Sequence, residues 1–164
     1  MKLGDLITAD RVVVDVQVGD KAHLMADLAK RAAAALGIDM KAVLTALMAR
    51  ERLGSTGFGR GFALPHARIP DLDRFFALFV RLAKPVDFEA IDGAPVDLVC
   101  LLLIPYAAGN EHVAALAAIA RRMRDVDFLQ ALRKPGNAGY IHDLLISGLE
   151  TSAPDEAGEP TRRG

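Results

Sequence analysis

"DLVCLLLIP", Asp97 to Pro105, is apolar at every position after the first, so it has no face to turn toward water. Successive side chains of a strand point to opposite sides of a sheet, and a strand apolar on both sides needs cover on both. "RFFALFVRL", Arg74 to Leu82, has the same character, and the two read as central strands. "RVVVDVQV", Arg11 to Val18, is β-branched and partly alternating, which predicts a further strand. "FALP", Phe62 to Pro65, predicts a short strand that ends immediately before His66, because proline cannot extend a hydrogen-bonded ladder.

Helical patterns lie between these strands. Asp20 is expected to cap a helix in which Leu24, Leu28, Ala32 and Ala35 recur at helical spacing until Gly37. After Asp39, the positions Met40, Val43, Leu44, Leu47 and Met48 form an amphipathic pattern, with Gly54 able to take up the left-handed conformation that ends a helix. Arg50 and Arg52 then fall in its last turn, where cations complement the negative end of the helix dipole. Asp92 and Gly93 signal a turn. Beyond Pro105 and "YAAG", Asn110 can cap a helix with an apolar stripe of Val113, Leu116, Ala120 and Met123, which puts His112 in its first turn. Two more helices are expected, one after Asp125 with Val126, Leu129 and Leu132, and one after Asn137 with Ile141, Leu144 and Leu145. Strands interspersed with helices, several of them apolar on both faces, define an α/β class: a mixed sheet sandwiched by helices. Reactive groups in such sheets gather beyond the carboxyl ends of strands, and His66 and His112 each follow one.

The composition narrows the function. With 164 residues, 52% hydrophobic and 25% charged, the chain is expected to form one domain over residues 1–150, followed by a disordered tail over 151–164 that has no large apolar residue to bury. A formal net charge of −1 leaves no broad basic face for nucleic acid or an anionic membrane. Met1 to Ala9 has no apolar segment of signal-peptide length, and the hydrophobic run from Leu98 to Ile104 is too short to span a bilayer. A cytoplasmic location is the resulting expectation. The single cysteine, Cys100, sits within that run and reads as a buried thiol.

"GSTGFGRGFALPHARIP", Gly54 to Pro70, carries the chemistry. The string from Gly57 to Gly61 follows a helix instead of a strand and lacks a GK[ST] ending, which argues against a nucleotide loop. Its glycines either let backbone N–H groups approach an anion or form an ordinary flexible connection. His23 and His142 read as solvated surface residues. His112, at a helix N-terminus, is either surface decoration or a neutral ring able to donate toward a bound anion. His66 stands out, following a rigid proline and facing a loop rich in donors. No histidine spacing matches a metal signature, so neither metal nor other cofactor is expected.

"RERLGSTGFGRGFALPHA" (Arg50 to Ala67) resembles the phosphorylation-site segment of the fructose/mannitol-type IIA proteins of the phosphoenolpyruvate-dependent phosphotransferase system, most of all their nitrogen-regulatory branch. "VDFEAIDGAPVDLVCLLLIP" (Val86 to Pro105) and "NEH" (Asn110 to His112) are similar to later segments of that family, in the same order. The resemblance implies an α/β sandwich with a mixed sheet, His66 as phosphoacceptor, Arg50 close to the phosphoryl group and His112 as a second active-site histidine. Ser55, Thr56, Gly57 and Gly59 are expected to add hydroxyl and N–H donors for the phosphate. The implied donor is a phosphorylated HPr-like protein, and the implied role is to regulate target proteins by phosphorylation state. Phe62, where an aliphatic residue is usual, and Arg68, where a small or varied one is common, depart from the family pattern. Two other readings share the fold: a binding or sensor module that takes no phosphate, and a sugar-specific component passing phosphate to a separate IIB. A hydrolase built on Ser55 or Thr56 has no recognisable base beside the nucleophile.

Overall fold

The computed structural model describes residues 2–147. The expected tail over 151–164 lies outside the described residues. In chain order the elements are α1 (Leu3–Leu6), a 3₁₀ turn (Ala9–Arg11), β1 (Val12–Val16), α2 (Lys21–Leu36), α3 (Met40–Arg52), β2 (Gly57–Gly59), β3 (Phe62–Ala63), β4 (His66–Ile69), β5 (Phe76–Val86), β6 (Val96–Pro105), α4 (Glu111–Arg122) and α5 (Val126–Arg133). A last helix, α6, covers 138–147 of the described residues.

β6 forms the spine of a mixed sheet of order β1-β5-β6-β3-β2. It pairs antiparallel with β5 on one side and parallel with β3 and β4 on the other, while β1 runs parallel to β5. The two-sided apolar pattern of β5 and β6 divides as strand geometry requires. Leu78, Val80, Val99, Leu101 and Leu103 join α2 and α3 in one core, with Leu24, Leu28, Val43 and Leu47. Ala77, Phe79, Leu98, Cys100 and Leu102 join the helices of the opposite layer in a second core, with Ile119, Leu129, Leu132, Ile141 and Leu145. Full burial of each such leucine contributes roughly 1.5–3 kcal/mol. Burial also pushes the Cys100 thiol up to about 12, so it stays protonated.

The carboxylate caps stand where expected. Asp20 accepts from the His23 amide at 2.8 Å and Asp39 from the Ala42 amide at 3.0 Å, while Asp125 accepts from Asp127 and Phe128. Asn110 occupies the cap position of α4, but its side chain makes no capping bond. α3 closes by short-range bonds from the Leu53 and Gly54 amides to Arg50 and Glu51 carbonyls, with Gly54 at φ 149 rather than in the left-handed helical conformation.

Three expectations are corrected. The buried stripe of α4 is Ala115, Ala118 and Ile119, leading to Met123, and Val113 is exposed. Ala115 and Ile119 belong to the second core, to which Val113 does not contribute. Val126 likewise faces water, and Phe128 takes its place in the core. His142 is half-buried rather than solvated, with Nε2 at 3.3 Å from the Ile7 carbonyl oxygen.

Candidate active site

The short strand β3 ends at Ala63, and pairing with β6 resumes at His66. β3 and β4 follow β6 in one common register, Phe62 opposite Leu98 and His66 opposite Leu102, so His66 opens β4. Pro65 interrupts the ladder only because it lacks an N–H, and its carbonyl still accepts from the Leu102 amide at 3.0 Å. β2 covers the outer edge of β3 alone. Past that point the edge of β4 is open to α3.

His66 is half-buried, and its ring is oriented from within. Nδ1 lies 2.9 Å from the Leu64 carbonyl oxygen, which can only accept, so Nδ1 carries the proton. Nε2 is therefore the bare nitrogen, and it accepts from Arg50 Nε at 3.3 Å. Arg50 is held in turn by its Nη1 donating to the Gly54 carbonyl at 3.0 Å. Burial, together with the Arg50 cation, holds the His66 pKa below its usual 6.5, against the opposing pull of the Leu64 bond. Neutral Nε2 should thus persist to lower pH than in a free imidazole. The ring shift followed by NMR is expected to titrate with a midpoint below 6.5, the bare Nε2 being lost as pH falls. A midpoint at or above 6.5 would contradict the buried, cation-facing ring.

His112 and Arg68 complete the surroundings. A cleft of about 530 Å³ is lined by Arg50, His66, Arg68 and His112, with Leu53 and Tyr106 among the apolar residues of its wall. Arg68 follows His66 by two residues, which puts both on one face of β4. Its Nη1 donates to the Tyr106 and Ala108 carbonyls at 3.3 and 3.1 Å, and its Nη2 is 3.1 Å from His112 Nδ1.

The glycine segment is tightly engaged. Thr56 is fully buried, giving its amide to Glu51 Oε2 at 2.9 Å and its hydroxyl to Oε1 at 2.7 Å. Ser55 accepts from the Gly57 amide at 3.0 Å and reaches the Phe88 carbonyl at 3.4 Å. A Cβ on Gly57 would come within 2.7 Å of the Ala90 Cβ, so only glycine lets β2 approach that segment. Gly59 is packed beside the Asp92 carboxylate. The structure thus brings His66, Arg50 and His112 to one cleft, and commits the side chains of Ser55 and Thr56 to protein partners.

Two residues escaped the sequence reading as parts of this site. Glu51 is buried in α3, with Lys21 Nζ at 3.0 Å, and Arg68 was visible only as a departure from a pattern. Burial pushes the Glu51 carboxyl up, but the Thr56 donors and the Lys21 ammonium outweigh it and leave the group below its ordinary value. Among the described residues no cluster of histidine, cysteine or carboxylate side chains could hold a metal ion, and no helix is long and apolar enough to cross a membrane.

The chain belongs to the type-2 IIA class: the description "Phosphoenolpyruvate-dependent sugar phosphotransferase system, EIIA 2" matches residues 5–148. Within the class, relatives that match nearly the whole chain are nitrogen regulatory proteins. The "Nitrogen regulatory protein" of Bradyrhizobium diazoefficiens is 42% identical over 93% of this chain and 100% of the relative. The crystal structure of the nitrogen regulatory protein IIA-Ntr from Neisseria meningitidis superposes with a TM-score of 0.82 at 31% identity, covering 87% of this chain and 98% of that one. A mannitol IIA of Escherichia coli, solved in complex with its phosphorylated IIB, shares the fold at a TM-score of 0.71 and 16% identity, over 86% of this chain and 97% of that one.

Proposed function

We propose that this protein is a phosphocarrier that takes a phosphoryl group onto His66 Nε2 from a phosphohistidine of an HPr-like protein and regulates target proteins by that modification. The observation that carries the reading is the fixed ring of His66: Nδ1 is bound to the Leu64 carbonyl and Nε2 is bare beside Arg50. Phosphoryl transfer asks a protein mainly for alignment and for charge stabilisation, and both are supplied here by side chains.

The lone pair of Nε2 attacks phosphorus in line with the donor nitrogen. The donor P–N bond breaks with its electron pair returning to the donor ring, which leaves as neutral imidazole when it enters protonated. The positive charge then passes to the His66 ring, where the Leu64 carbonyl accepts the Nδ1 proton in a charge-assisted bond. Arg50 gives up Nε2 as the attack proceeds and turns its planar donor fork to the phosphoryl oxygens. His112, across the cleft, is placed to donate as well.

The partner is a protein. Leu53 and Tyr106, 84% and 63% exposed, stand on the same cleft and suit a complementary apolar surface rather than a small solute. Addition of a dianionic group between them changes the charge and hydration of that face, which is the physical basis for phosphorylation-dependent target binding. Incubation with a phosphorylated HPr-like donor should give an acid-labile, alkali-stable label on the wild-type protein. No label, or an acid-stable one, would overturn the proposal. Arg50→Ala should retain the fold and accept the group about a hundredfold more slowly, the usual loss for an oriented donor at a charged transition state. A rate equal to wild type in single-turnover measurements would remove Arg50 from the mechanism.

A further inference from the structure

Arg68 forms no hydrogen bond with His66, yet it is tied into the wall of the cleft. We propose that Arg68 is a positioning residue for phosphoryl transfer: it sets the ring tautomer of His112 so that Nε2 bears the proton offered to the phosphoryl group. The inference rests on the phosphocarrier reading.

His112 Nδ1 has two neighbours that make opposite demands. The Gly109 carbonyl oxygen, 2.8 Å away, can only accept, and Arg68 Nη2, 3.1 Å away, can only donate. One nitrogen of a neutral ring cannot satisfy both. With the proton on Nδ1, a guanidinium N–H would face a ring N–H, and Nε2 would be left without a proton to give. With Nδ1 bare, Arg68 donates to it and Nε2 carries the proton.

The surroundings decide between the two. Gly109 lies in an exposed turn, so water replaces the ring at its carbonyl at little cost. Arg68 is half-buried and fixed by two further carbonyls, those of Tyr106 and Ala108, so its Nη2 has no comparable freedom to turn away. A doubly protonated ring offers no resolution, because it would again set a ring N–H against the Arg68 guanidinium. Nδ1 is thus the nitrogen engaged by the protein, and Nε2 is the one left for a ligand. Such second-layer control of a histidine tautomer is a general means of fixing which nitrogen reacts.

Two-bond ¹H–¹⁵N correlation spectra of the ¹⁵N-labelled protein at neutral pH read the tautomer directly. The wild-type protein should show His112 with a bare Nδ1 and a protonated Nε2. In Arg68→Met the pattern should invert, Nδ1–H then bonding to Gly109, and single-turnover uptake of the phosphoryl group should fall about tenfold. Arg68→Lys, which keeps a cationic donor, should restore part of both. A protonated Nδ1 in wild type, which needs no variant to detect, overturns the inference. So does a wild-type uptake rate in a folded Arg68→Met. If the wild-type protein takes no label at all, the phosphocarrier reading fails, and the role assigned to Arg68 fails with it. A labelled wild type with the wrong His112 tautomer sinks the inference alone.

Discussion

His66→Ala is expected to abolish phosphoryl uptake while leaving the protein folded. The ring lies on the open edge of β4, half-buried, and its internal bonds are one to the Leu64 carbonyl and one from Arg50. Loss of such bonds at a partly solvated position costs about 1 kcal/mol each, small against the apolar burial of both faces of β5 and β6. Circular dichroism and thermal unfolding should therefore change little, and loss of label can be assigned to chemistry. The remaining histidines cannot substitute. His23 is exposed and paired with Asp20, His142 leans on the Ile7 carbonyl, and His112, in the tautomer proposed above, carries its proton on Nε2 while its bare Nδ1 is taken by Arg68. The chemistry of the label sharpens the result. A phosphohistidine is lost in acid and survives alkali, whereas a phosphoserine or phosphothreonine shows the reverse order. Residual alkali-labile label in His66→Ala would point to Ser55 or Thr56. Undiminished acid-labile label would place the acceptor on another histidine.

How far this site could be read in advance differs from residue to residue. β5 and β6 are legible because continuous apolarity over a strand length admits few alternatives, and the helices behind Asp20, Asp39 and Asp125 are announced by local caps. His66 stood out from its neighbours, but its register did not. Proline signals a broken ladder, whereas the chain resumes pairing with β6 one residue later. The face of α4 is not legible because alanine is ambivalent: Ala115 and Ala118 are buried, yet they are too small to weigh in a count of large apolar residues. Glu51 and Arg68 were hidden for another reason. A charged residue in a helix or an edge strand normally faces water, and the partners that draw these two inward, Lys21 and His112, are distant in sequence.

Glu51→Ala should be the most damaging single change outside the core. The carboxylate, 4% exposed, joins three segments: it belongs to α3, accepts both donors of Thr56 at the entry to β2, and pairs with Lys21 in the first turn of α2. Truncation leaves a buried hydroxyl and a buried amide without their acceptor, and leaves the mostly covered Lys21 ammonium only its longer pairing with the exposed Glu89 at 3.4 Å. Removing one member of such a pair costs about 3–5 kcal/mol, which for a chain of this length lowers Tm by roughly 10 °C. Because Glu51 adjoins Arg50 in α3, loss of its anchor should also free Arg50 from His66, and phosphoryl uptake should slow even below the melting range. Glu51→Gln keeps an acceptor for Thr56 but loses the charge facing Lys21, so its loss should be smaller and should depend on pH. The folded carboxyl titrates below its ordinary 4.5, so its ionised form contributes stability fully above that value and loses it as pH falls through the folded pKa. The gap in unfolding free energy between wild type and Glu51→Gln should therefore be widest near neutral pH and close in acid. A gap that stays constant to pH 3, measured by denaturant unfolding, would mean that the Thr56 bonds alone hold the segment and that the Lys21 pair contributes nothing, whereas a closing gap places the ion pair at the root of the geometry that presents Arg50 to His66.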